Sequence, residues 1–357
     1  MRRRKIISTV LSLTIAATAI LSGCGSTASS SAQAGSSGAS SVVSNSSGAE
    51  SVTSGSIASS STGSTTGGKS VAMVFPGEVT DEAFNQYTYE GLVQAQDELG
   101  IKTAYREDVG QDEQLEVIRQ FAQQGYDIVI GQGGQFGDAL SQAAEEFPDK
   151  QFIFSVATDN YGLQNMTAAT LSYAHAGYLA GIMAAYATTN KKVAFVTGEW
   201  YDPHKQMRQE FEDAVKSVDP SIETTAVTTG SWSDVSAARE ASLSLISEGY
   251  DVLFFCLDAA YVGVISAAQD SDGVKVIGGV VDAAETAPDV TVGSVVFNWK
   301  ELGYEEATGQ LEGGKSYVLG MAEGGITPVV NDLSDEGKAA VEAAEEGLKD
   351  GTLNIAP

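Results

Sequence analysis

Gly125-Tyr126-Asp127-Ile128-Val129 is followed 124 residues later by Gly249-Tyr250-Asp251-Val252-Leu253, a second copy of the same pattern. The match extends in both directions. Val71-Ala72-Met73-Val74 pairs with Val193-Ala194-Phe195-Val196 at an offset of 122, and Ser141-Gln142-Ala143-Ala144 pairs with Ser266-Ala267-Ala268-Gln269 at 125. Because the offset changes so little, we predict two copies of one structural unit. The alternative is a chance likeness between any two βα units.

Short β-branched runs alternate with amphipathic stretches in both copies, the pattern of a parallel sheet covered by helices. The strand-like runs lie at 71–75, 103–107, 128–130, 151–155, 193–197, 223–227, 252–256 and 275–278. The helix-like stretches lie at 81–99, 111–124, 137–147, 203–218, 233–248 and 260–270. The pattern predicts an α/β protein with two doubly wound, Rossmann-like domains and a ligand cleft between them.

Charge and composition exclude several classes of function. The chain has 357 residues, with 47 Asp and Glu against 20 Lys and Arg and a formal net charge of −27. Loss of the four cations at 2–5 would make it −31. So acidic a protein repels phosphate backbones and anionic lipid headgroups, which argues against nucleic-acid binding and docking on a membrane surface. Two Cys and two His are too few for a disulfide framework or an imidazole- or thiolate-rich metal site, so we predict no metal and no cofactor.

The N-terminus has the parts of a secretory signal peptide. Arg2-Arg3-Arg4-Lys5 is basic, residues 6–20 are apolar but too short a stretch to span a membrane, and the segment ends in Leu21-Ser22-Gly23-Cys24. The last four residues resemble the bacterial lipobox, in which the cysteine is lipidated and becomes the new N-terminus. We therefore predict a lipoprotein signal peptide at 1–24, with Cys24 lipidated and the protein anchored at the extracellular face of the cell membrane. The alternative is a signal peptide cleaved elsewhere, with Cys24 incidental.

Residues 25–69 have the composition of a linker. They include 18 Ser and 8 Gly among 45 residues and no aromatic residue. Such a segment cannot offset its chain entropy by burial, so we predict disorder. A coil of this length has a root-mean-square reach of roughly 35–40 Å, enough to hold a folded module clear of a membrane.

Aromatic and polar side chains are concentrated after the predicted strands, where open α/β sheets bind ligands. The aromatic residues are Phe84, Phe136, Tyr161, Trp200, Tyr201, Trp232 and Tyr261, and the polar ones are Asp81, Asn85, Gln132, Asp159, Asp234, Asp258 and Asp282. Taken singly, each aromatic residue is better explained by core or domain-edge packing, but the set favours a pocket for a flat ring. Basic residues are nearly absent, His204 and the adjacent Lys205 excepted. A neutral, hydroxyl-bearing or weakly cationic ligand therefore fits better than a phosphate or dicarboxylate, although helix N-termini could still hold an anion.

Asp81-Glu82-Ala83-Phe84-Asn85-Gln86, with Glu90-Gly91 after it, resembles the D-x-S-F-N-Q…EG signature of the basic membrane protein family. These are lipoprotein substrate-binding components of ABC importers, and they include the purine nucleoside receptor. The likeness covers about 70–330 and includes 125–131, 178–181 and 230–234. It implies a type I periplasmic-binding-protein fold with hinge crossovers near 172–177, 296–300 and 322–328. The N-terminal lobe would comprise 70–174 plus about 298–325, and the C-terminal lobe 175–297 plus about 326–357.

The resemblance also implies roles for particular residues. In the family's nucleoside receptors the base is contacted by a Phe and an Asn, matched here by Phe84 and Asn85. A second aromatic residue stacks from the opposite domain, and Trp232 is the best match for it. Two departures concern the sugar, because Val280 and Phe297 stand where the family has a ribose-contacting Asp and Lys. The family's A-G-G-x-G turn is also replaced, by the segment 256–260. A free base, a modified nucleoside or another ring-bearing solute is then nearly as well supported as a nucleoside.

We therefore predict a membrane-anchored, extracellular solute-binding lipoprotein of an ABC importer, a monomer that meets a permease in the membrane. The ligand is a small ring-bearing solute, with nucleosides or nucleobases favoured. The predicted ligand-binding residues are Asp81, Phe84, Asn85, Gln86, Phe136, Trp200, Trp232, Asp258 and Asp282. The alternatives are a sensory receptor of the same fold and an importer receptor for a sugar-like or other non-nucleoside ligand.

Enzyme motifs are poorly matched. The segment 131–137 departs from G-x-G-x-x-G because Phe136 occupies the third glycine position. The sequence contains no G-x-S-x-G. His204 has no Ser or Cys near it in the sequence. We therefore predict that the protein is not an enzyme.

Overall fold

Strands and helices alternate along most of the chain in the computed structural model, which describes residues 58–60 and 68–355. The strands are β1 (Ala58–Ser60), β2 (Val71–Val74), β3 (Thr103–Arg106), β4 (Ile128–Gln132), β5 (Gln151–Ser155), β6 (Met166–Leu171), β7 (Lys192–Thr197), β8 (Glu223–Thr228), β9 (Val252–Cys256), β10 (Lys275–Val280), β11 (Thr291–Phe297), β12 (Ser316–Leu319) and β13 (Ile326–Val330). The helices are α1 (Phe84–Leu99), α2 (Gln114–Gln123), α3 (Gly137–Glu146), α4 (Tyr173–Ala187), α5 (Asp202–Val218), α6 (Val235–Ser247), α7 (Tyr261–Gln269), α8 (Trp299–Thr308) and α9 (Asp335–Asp350). Cys24 and most of the predicted linker lie outside the described residues.

The strands form two sheets, and each sheet is the centre of one lobe. The N-lobe sheet has the order β1-β3-β2-β4-β5-β6-β12, and the C-lobe sheet has the order β13-β11-β10-β9-β7-β8. The five strands β3-β2-β4-β5-β6 and the five strands β8-β7-β9-β10-β11 follow the same order and are parallel throughout. The predicted α/β fold with two parallel-sheet domains is confirmed.

The central strands are continuous apolar runs because helices cover both faces of each sheet. Every residue of β2 and of β9 is buried. Helix α2 buries one face, with Val117, Ile118, Phe121 and Ala122, whereas α4 is buried nearly all round. Within the described residues, every helix is too short or too polar to span a bilayer.

The repeated Gly-Tyr-Asp motif forms the same corner in both lobes. Its two glycines have φ values of +90° and +93°, which favour glycine. Asp127 accepts hydrogen bonds from the backbone N–H and the hydroxyl of Ser70, both at 2.8 Å. Asp251 accepts from the backbone N–H groups of Thr189 and Asn190 at 2.7 and 2.8 Å. In each lobe the aspartate therefore ties the segment before the first strand to the strand beside it.

The chain crosses between the sheets three times, directly after β6, β11 and β12. The first two crossovers lead into α4 and α8, which pack against α5 and α1 respectively. Glycines make both helix contacts close. A Cβ at Gly177 would lie 2.1 Å from the carbonyl oxygen of Met207, and one at Gly91 would lie 2.2 Å from that of Lys300. The backbone of α4 therefore packs directly against that of α5, and the backbone of α8 against that of α1.

The structure contains elements beyond those that the sequence pattern predicts. They include β6, β11, β12 and β13, with helices α8 and α9. Strand β1 lies inside the segment 25–69, for which disorder is predicted, and it pairs antiparallel with β3. The backbone groups on the outer side of β3 would otherwise lack partners in the sheet, so this edge accepts a further strand.

Candidate functional site

A cavity of about 820 Å³ lies between the lobes, at the carboxyl ends of the parallel strands. Equivalent strand ends of the two lobes contribute to it: β2 and β7, β3 and β8, β4 and β9, and β5 and β10. Tyr173 and Trp299, the first residues of α4 and α8, line it where the chain crosses between lobes. The volume is typical of a small-molecule site.

The N-lobe wall is built around the start of α1. Asp81 accepts hydrogen bonds from the backbone N–H groups of Ala83, Asn85 and Gln86 at 3.0–3.1 Å, and so satisfies donors that a helix start leaves free. The same carboxylate accepts from Nδ2 of Asn85 at 2.8 Å. Because the amide nitrogen is held there, Oδ1 of Asn85 is left as an acceptor, and it has no partner among the described residues.

The C-lobe wall is aromatic. The rings of Tyr201 and Trp232 are nearly parallel, at 10°, with centroids 6.2 Å apart, and the His204 ring lies 4.8 Å from that of Trp232. Gly198 makes room for the indole, since a Cβ there would lie 2.5 Å from Cδ2 of Trp232. Burial lowers the pKa of His204 to about 3, so this imidazole is neutral at physiological pH.

A second aromatic group surrounds the crossovers. Phe297 and Trp299 are stacked, with centroids 5.5 Å apart at 8°, and Phe84 meets Trp299 edge-on at 4.9 Å. Tyr173 lies 5.0 Å from Phe297. Phe84, Tyr173 and Trp299 line the cavity, whereas Phe297 is 2% exposed behind them. The rings give this end of the cavity an apolar surface.

Six carboxylate residues line the cavity, and no Lys or Arg of the described chain does so. They are Glu78, Asp81, Glu82, Asp108, Glu199 and Asp258. Asp258 lies just after β9, at the position equivalent to Gly134 in the N-lobe, 124 residues earlier. Burial and the charge of Asp81 raise the pKa of Asp258 well above its usual range. Burial, the Cys256 thiol and Asp258 likewise raise the pKa of Tyr173.

Three buried polar atoms of the lining residues have no hydrogen-bond partner in the described part of the chain. They are Oδ1 of Asn85, Nδ1 of His204 and Nε1 of Trp299, on residues that are 4%, 5% and 1% exposed. Buried polar groups are nearly always hydrogen-bonded in native proteins. The unpaired atoms therefore point to a ligand that supplies at least one donor and one acceptor.

Backbone strain is concentrated at the same place. Of the six non-glycine residues with positive φ among those described, four line the cavity: Glu82, Asp108, Val156 and Val280. The two valines, at φ of 65° and 81°, follow β5 and end β10, again 124 residues apart. Positive φ is costly for a β-branched residue, and such strain tends to cluster at binding sites.

Five of the nine predicted ligand-binding residues line the cavity: Asp81, Phe84, Asn85, Trp232 and Asp258. The other four lie elsewhere. Phe136 is fully buried in the N-lobe core, because the short 3₁₀ helix Gly134–Phe136 turns it inward. Trp200 packs on Phe195 and lies under the Arg208 guanidinium.

Gln86 and Asp282 are occupied by local hydrogen bonds. Gln86 accepts from the Glu82 N–H and donates to Glu90, both at 3.2 Å. Asp282 accepts from the backbone N–H of Ala284 and from the Ser294 hydroxyl. Both side chains stabilise loop or helix starts and do not line the cavity.

The sequence pattern does not predict Tyr173 and Trp299 as lining residues. Both begin helices at crossovers between the lobes, and neither follows one of the predicted strands. The one available signal is that Trp299 lies in the predicted crossover 296–300. Among the described residues, no group of three or more His, Cys, Asp and Glu could hold a metal ion.

Comparison with known proteins gives the family context of this cavity. Residues 68–349 match the Bmp family model, described as "ABC transporter substrate-binding protein PnrA-like". The chain is 27% identical to the ABC transporter nucleoside-binding protein BmpA of Lactococcus lactis, over 78% of this chain and 86% of that protein. It is also 27% identical to a purine-binding protein of Brucella abortus, over 71% and 73%. A solute-binding protein structure from Aeropyrum pernix superposes with a TM-score of 0.73 at 17% identity, covering 81% of this chain and 94% of that one, and supports the fold.

Proposed function

This chain belongs to the Bmp family of PnrA-like ABC transporter substrate-binding proteins, and from that premise we propose that it captures a small ring-bearing solute for an ABC importer. One observation carries the proposal. The Asn85 amide, held by Asp81, lines a cavity whose opposite wall supplies the parallel rings of Tyr201 and Trp232. A planar ligand with a polar edge would meet both walls at once.

Binding would require both lobes. The N-lobe offers a hydrogen-bond acceptor at Asn85, and the C-lobe offers the face of Trp232, so neither lobe alone removes water from the whole ligand. The chain crosses between the lobes at three short segments, which we propose to be the hinges of lobe closure. Small-angle scattering should then show a smaller radius of gyration with ligand than without it. Equal radii would contradict hinge closure.

Nucleosides and nucleobases are the first candidates, because two relatives are named for nucleoside and purine binding. The positions of the family's ribose contacts offer no polar side chain here. Val280 lines the cavity with an apolar group, and Phe297 is packed between Tyr173 and Trp299. We therefore propose a solute recognised through its ring, such as a free base or a modified nucleoside. The residues bind and orient this solute, and we propose no catalysed reaction.

We further propose that the protein is a monomeric lipoprotein, anchored through Cys24 at the extracellular face of the cell membrane. The lipobox-like segment Leu21-Ser22-Gly23-Cys24 supports the anchor. The long segment that follows would give the folded part freedom to reach a permease in the same membrane.

The test is to identify the ligand and then weaken its site. Mass spectrometry of small molecules released from the purified, denatured protein should reveal a ring-bearing solute. Calorimetric titration of adenosine, guanosine, inosine and their bases should find binding below the millimolar range, which Asn85→Ala abolishes. Asn190→Ala is the control, since Asn190 is exposed and its amide contacts Gly249 far from the cavity. If none of these compounds binds to intact protein, the nucleoside assignment fails and the receptor class alone survives.

A further inference from the structure

The cavity constrains the charge of its occupant as well as its shape. This inference rests on the proposed function: we infer that the ring-bearing solute is an organic cation, and that its positive charge is held against the carboxylate of Asp258. The charge sits either on a protonated ring nitrogen or on an ammonium arm attached to the ring. Both forms offer the same chemistry, N–H or N–CH₃ groups that bear a positive charge next to an aromatic plane.

The charged side chains of the cavity wall are all acidic. Six carboxylates line the cavity, and within the described chain no Lys or Arg compensates them. His204 is the one imidazole in the lining, and it is neutral. An anionic ligand would meet uncompensated negative charge, whereas a cation would be attracted to it.

Asp258 differs in its surroundings from the other five carboxylate residues of the cavity wall. Glu78, Glu82, Asp108 and Glu199 are exposed to solvent, where water stabilises their charge. Asp81 is half-buried but accepts four hydrogen bonds from the start of α1. Asp258 is half-buried beside the buried residues Cys256 and Leu257, and its carboxyl group has neither a hydrogen bond nor a salt bridge with any residue that the structure describes. Desolvation disfavours the ionised form of such an unpaired carboxyl group, and an opposite charge is the partner that stabilises that form.

The aromatic wall suits the same ligand. Tyr173, Tyr201, Trp232, Tyr261 and Trp299 all line the cavity. The faces of such rings carry negative electrostatic potential, and they bind ammonium and other organic cations most strongly where water is excluded. The rings therefore favour a cation over a neutral solute of the same size.

The unpaired buried atoms are an independent sign of a ligand, and they agree with the inference. Oδ1 of Asn85 can only accept a hydrogen bond, so it requires an N–H or O–H donor on the solute. Nε1 of Trp299 can only donate, so one acceptor is also required. A protonated heterocycle, or a heterocycle with an amino arm, has both.

The experiment compares matched pairs of probes by calorimetric titration at pH 7. The first pair is 1-methyladenosine, a cation with its charge on the ring, against neutral adenosine. The second is tryptamine, with its charge on an arm, against neutral tryptophol. The cationic member of at least one pair should bind at least tenfold more tightly than its neutral partner. The pair that shows the difference identifies where the charge lies.

Variants test whether Asp258 causes the preference for the cationic probe. Asp258→Asn should reduce the affinity ratio of the cationic to the neutral probe to less than threefold. Asp258→Glu, which keeps the charge, should retain most of that ratio. Asp272→Asn is the matched control, because it removes the same charge from an exposed residue outside the cavity and should leave the preference unchanged.

The results separate this inference from the function on which it rests. Equal affinities within both pairs, or a preference that survives in Asp258→Asn, would overturn the inference and leave the receptor function standing. A neutral natural ligand, released from the protein and shown to rebind, would do the same. Failure of the released solute and of all four probes to bind would contradict the proposed function, and the inference with it.

Discussion

The carboxylate of Asp81 accepts two hydrogen bonds from Asn85, one from its backbone N–H at 3.1 Å and one from its side-chain Nδ2 at 2.8 Å. The same residue therefore begins helix α1 and orients the amide that lines the cavity. The proposed function therefore predicts that stability and ligand binding are coupled at this contact, and substitutions can separate the two effects.

Asp81→Ala should lower both the stability of the protein and its affinity for ligand. Loss of a side-chain acceptor at a helix start costs about 0.5–2 kcal/mol. Without its partner the Asn85 amide can rotate, so we expect affinity to fall about tenfold, the equivalent of ~1.4 kcal/mol. Urea unfolding and calorimetry would measure the two effects. An Asp81→Ala protein that binds as tightly as the parent would show that Asn85 needs no such orientation.

Trp232→Ala should weaken ligand binding by one to two orders of magnitude. Truncation removes an aromatic contact worth roughly 0.5–1.5 kcal/mol beyond its area and part of the burial of a large side chain, about 1.5–3 kcal/mol. Trp200→Ala is the matched control, because that indole packs outside the cavity on Phe195. It should lower the unfolding free energy and leave the dissociation constant within about twofold, well under the ~1.4 kcal/mol of one decade.

Gly198→Ala is a more sensitive probe of the same wall. Its methyl group would lie 2.5 Å from the Trp232 ring, so the indole must move although no aromatic residue is lost. We expect weaker binding together with a change in tryptophan fluorescence. Unchanged affinity would mean that the position of this ring does not matter for the ligand.

Glu306→Gln should change how stability depends on pH. Glu306 is fully buried in α8, and burial raises its pKa from 4.5 to about 8. The unfolded chain releases this proton above pH ~4.5 and the folded chain only near pH 8. The free energy of unfolding of the parent should therefore fall between these values, by on the order of 5 kcal/mol in total.

The Gln variant should lack this fall and gain most over the parent at and above pH 8. Glu301→Gln removes an exposed carboxylate from the same helix and should leave the pH dependence in place. Parallel stability curves for the parent and Glu306→Gln would rule out a buried, proton-binding carboxyl group.

Cys24→Ala should move the protein from the membrane fraction to the medium, because the lipid would have no attachment site. Immunoblots of fractionated cells would measure the shift, and the released protein should still bind ligand. Unchanged membrane association of Cys24→Ala would overturn the lipobox hypothesis.

Cys256 lines the cavity as a buried free thiol, and burial raises its pKa. It should therefore react with thiol reagents only after unfolding.

The parallel core of each lobe is predictable because its signals are local. Val252–Cys256 is a continuous apolar run, and the glycine three residues before it marks the turn that precedes it. Strand β13 has no such signal. Ile326–Val330 contains Pro328 and pairs antiparallel at the sheet edge after the last crossover, where proline is tolerated. Its place depends on tertiary structure rather than on its own sequence.

The residues of the site likewise divide into those that local sequence predicts and those that depend on tertiary structure. Asn85 and Trp232 follow strands and lie where the predicted topology puts strand ends. Phe136 also follows a strand, but one turn of 3₁₀ helix rotates it into the core. Tyr173 and Trp299 reach the cavity from helices that begin at crossovers. Their positions follow only from how the chain passes between the lobes, which periodicity does not encode.

The repeat that builds the scaffold does not extend to the chemistry of the cavity. Val156 and Val280 occupy equivalent strained positions, yet Gly134 in one lobe corresponds to Asp258 in the other. A ligand turned end for end would meet a bare backbone where it had met a carboxylate. We therefore expect the cavity to distinguish positional isomers: two solutes of equal size, charge and hydrophobicity, which differ only in where a substituent is attached to the ring, should bind with different affinities.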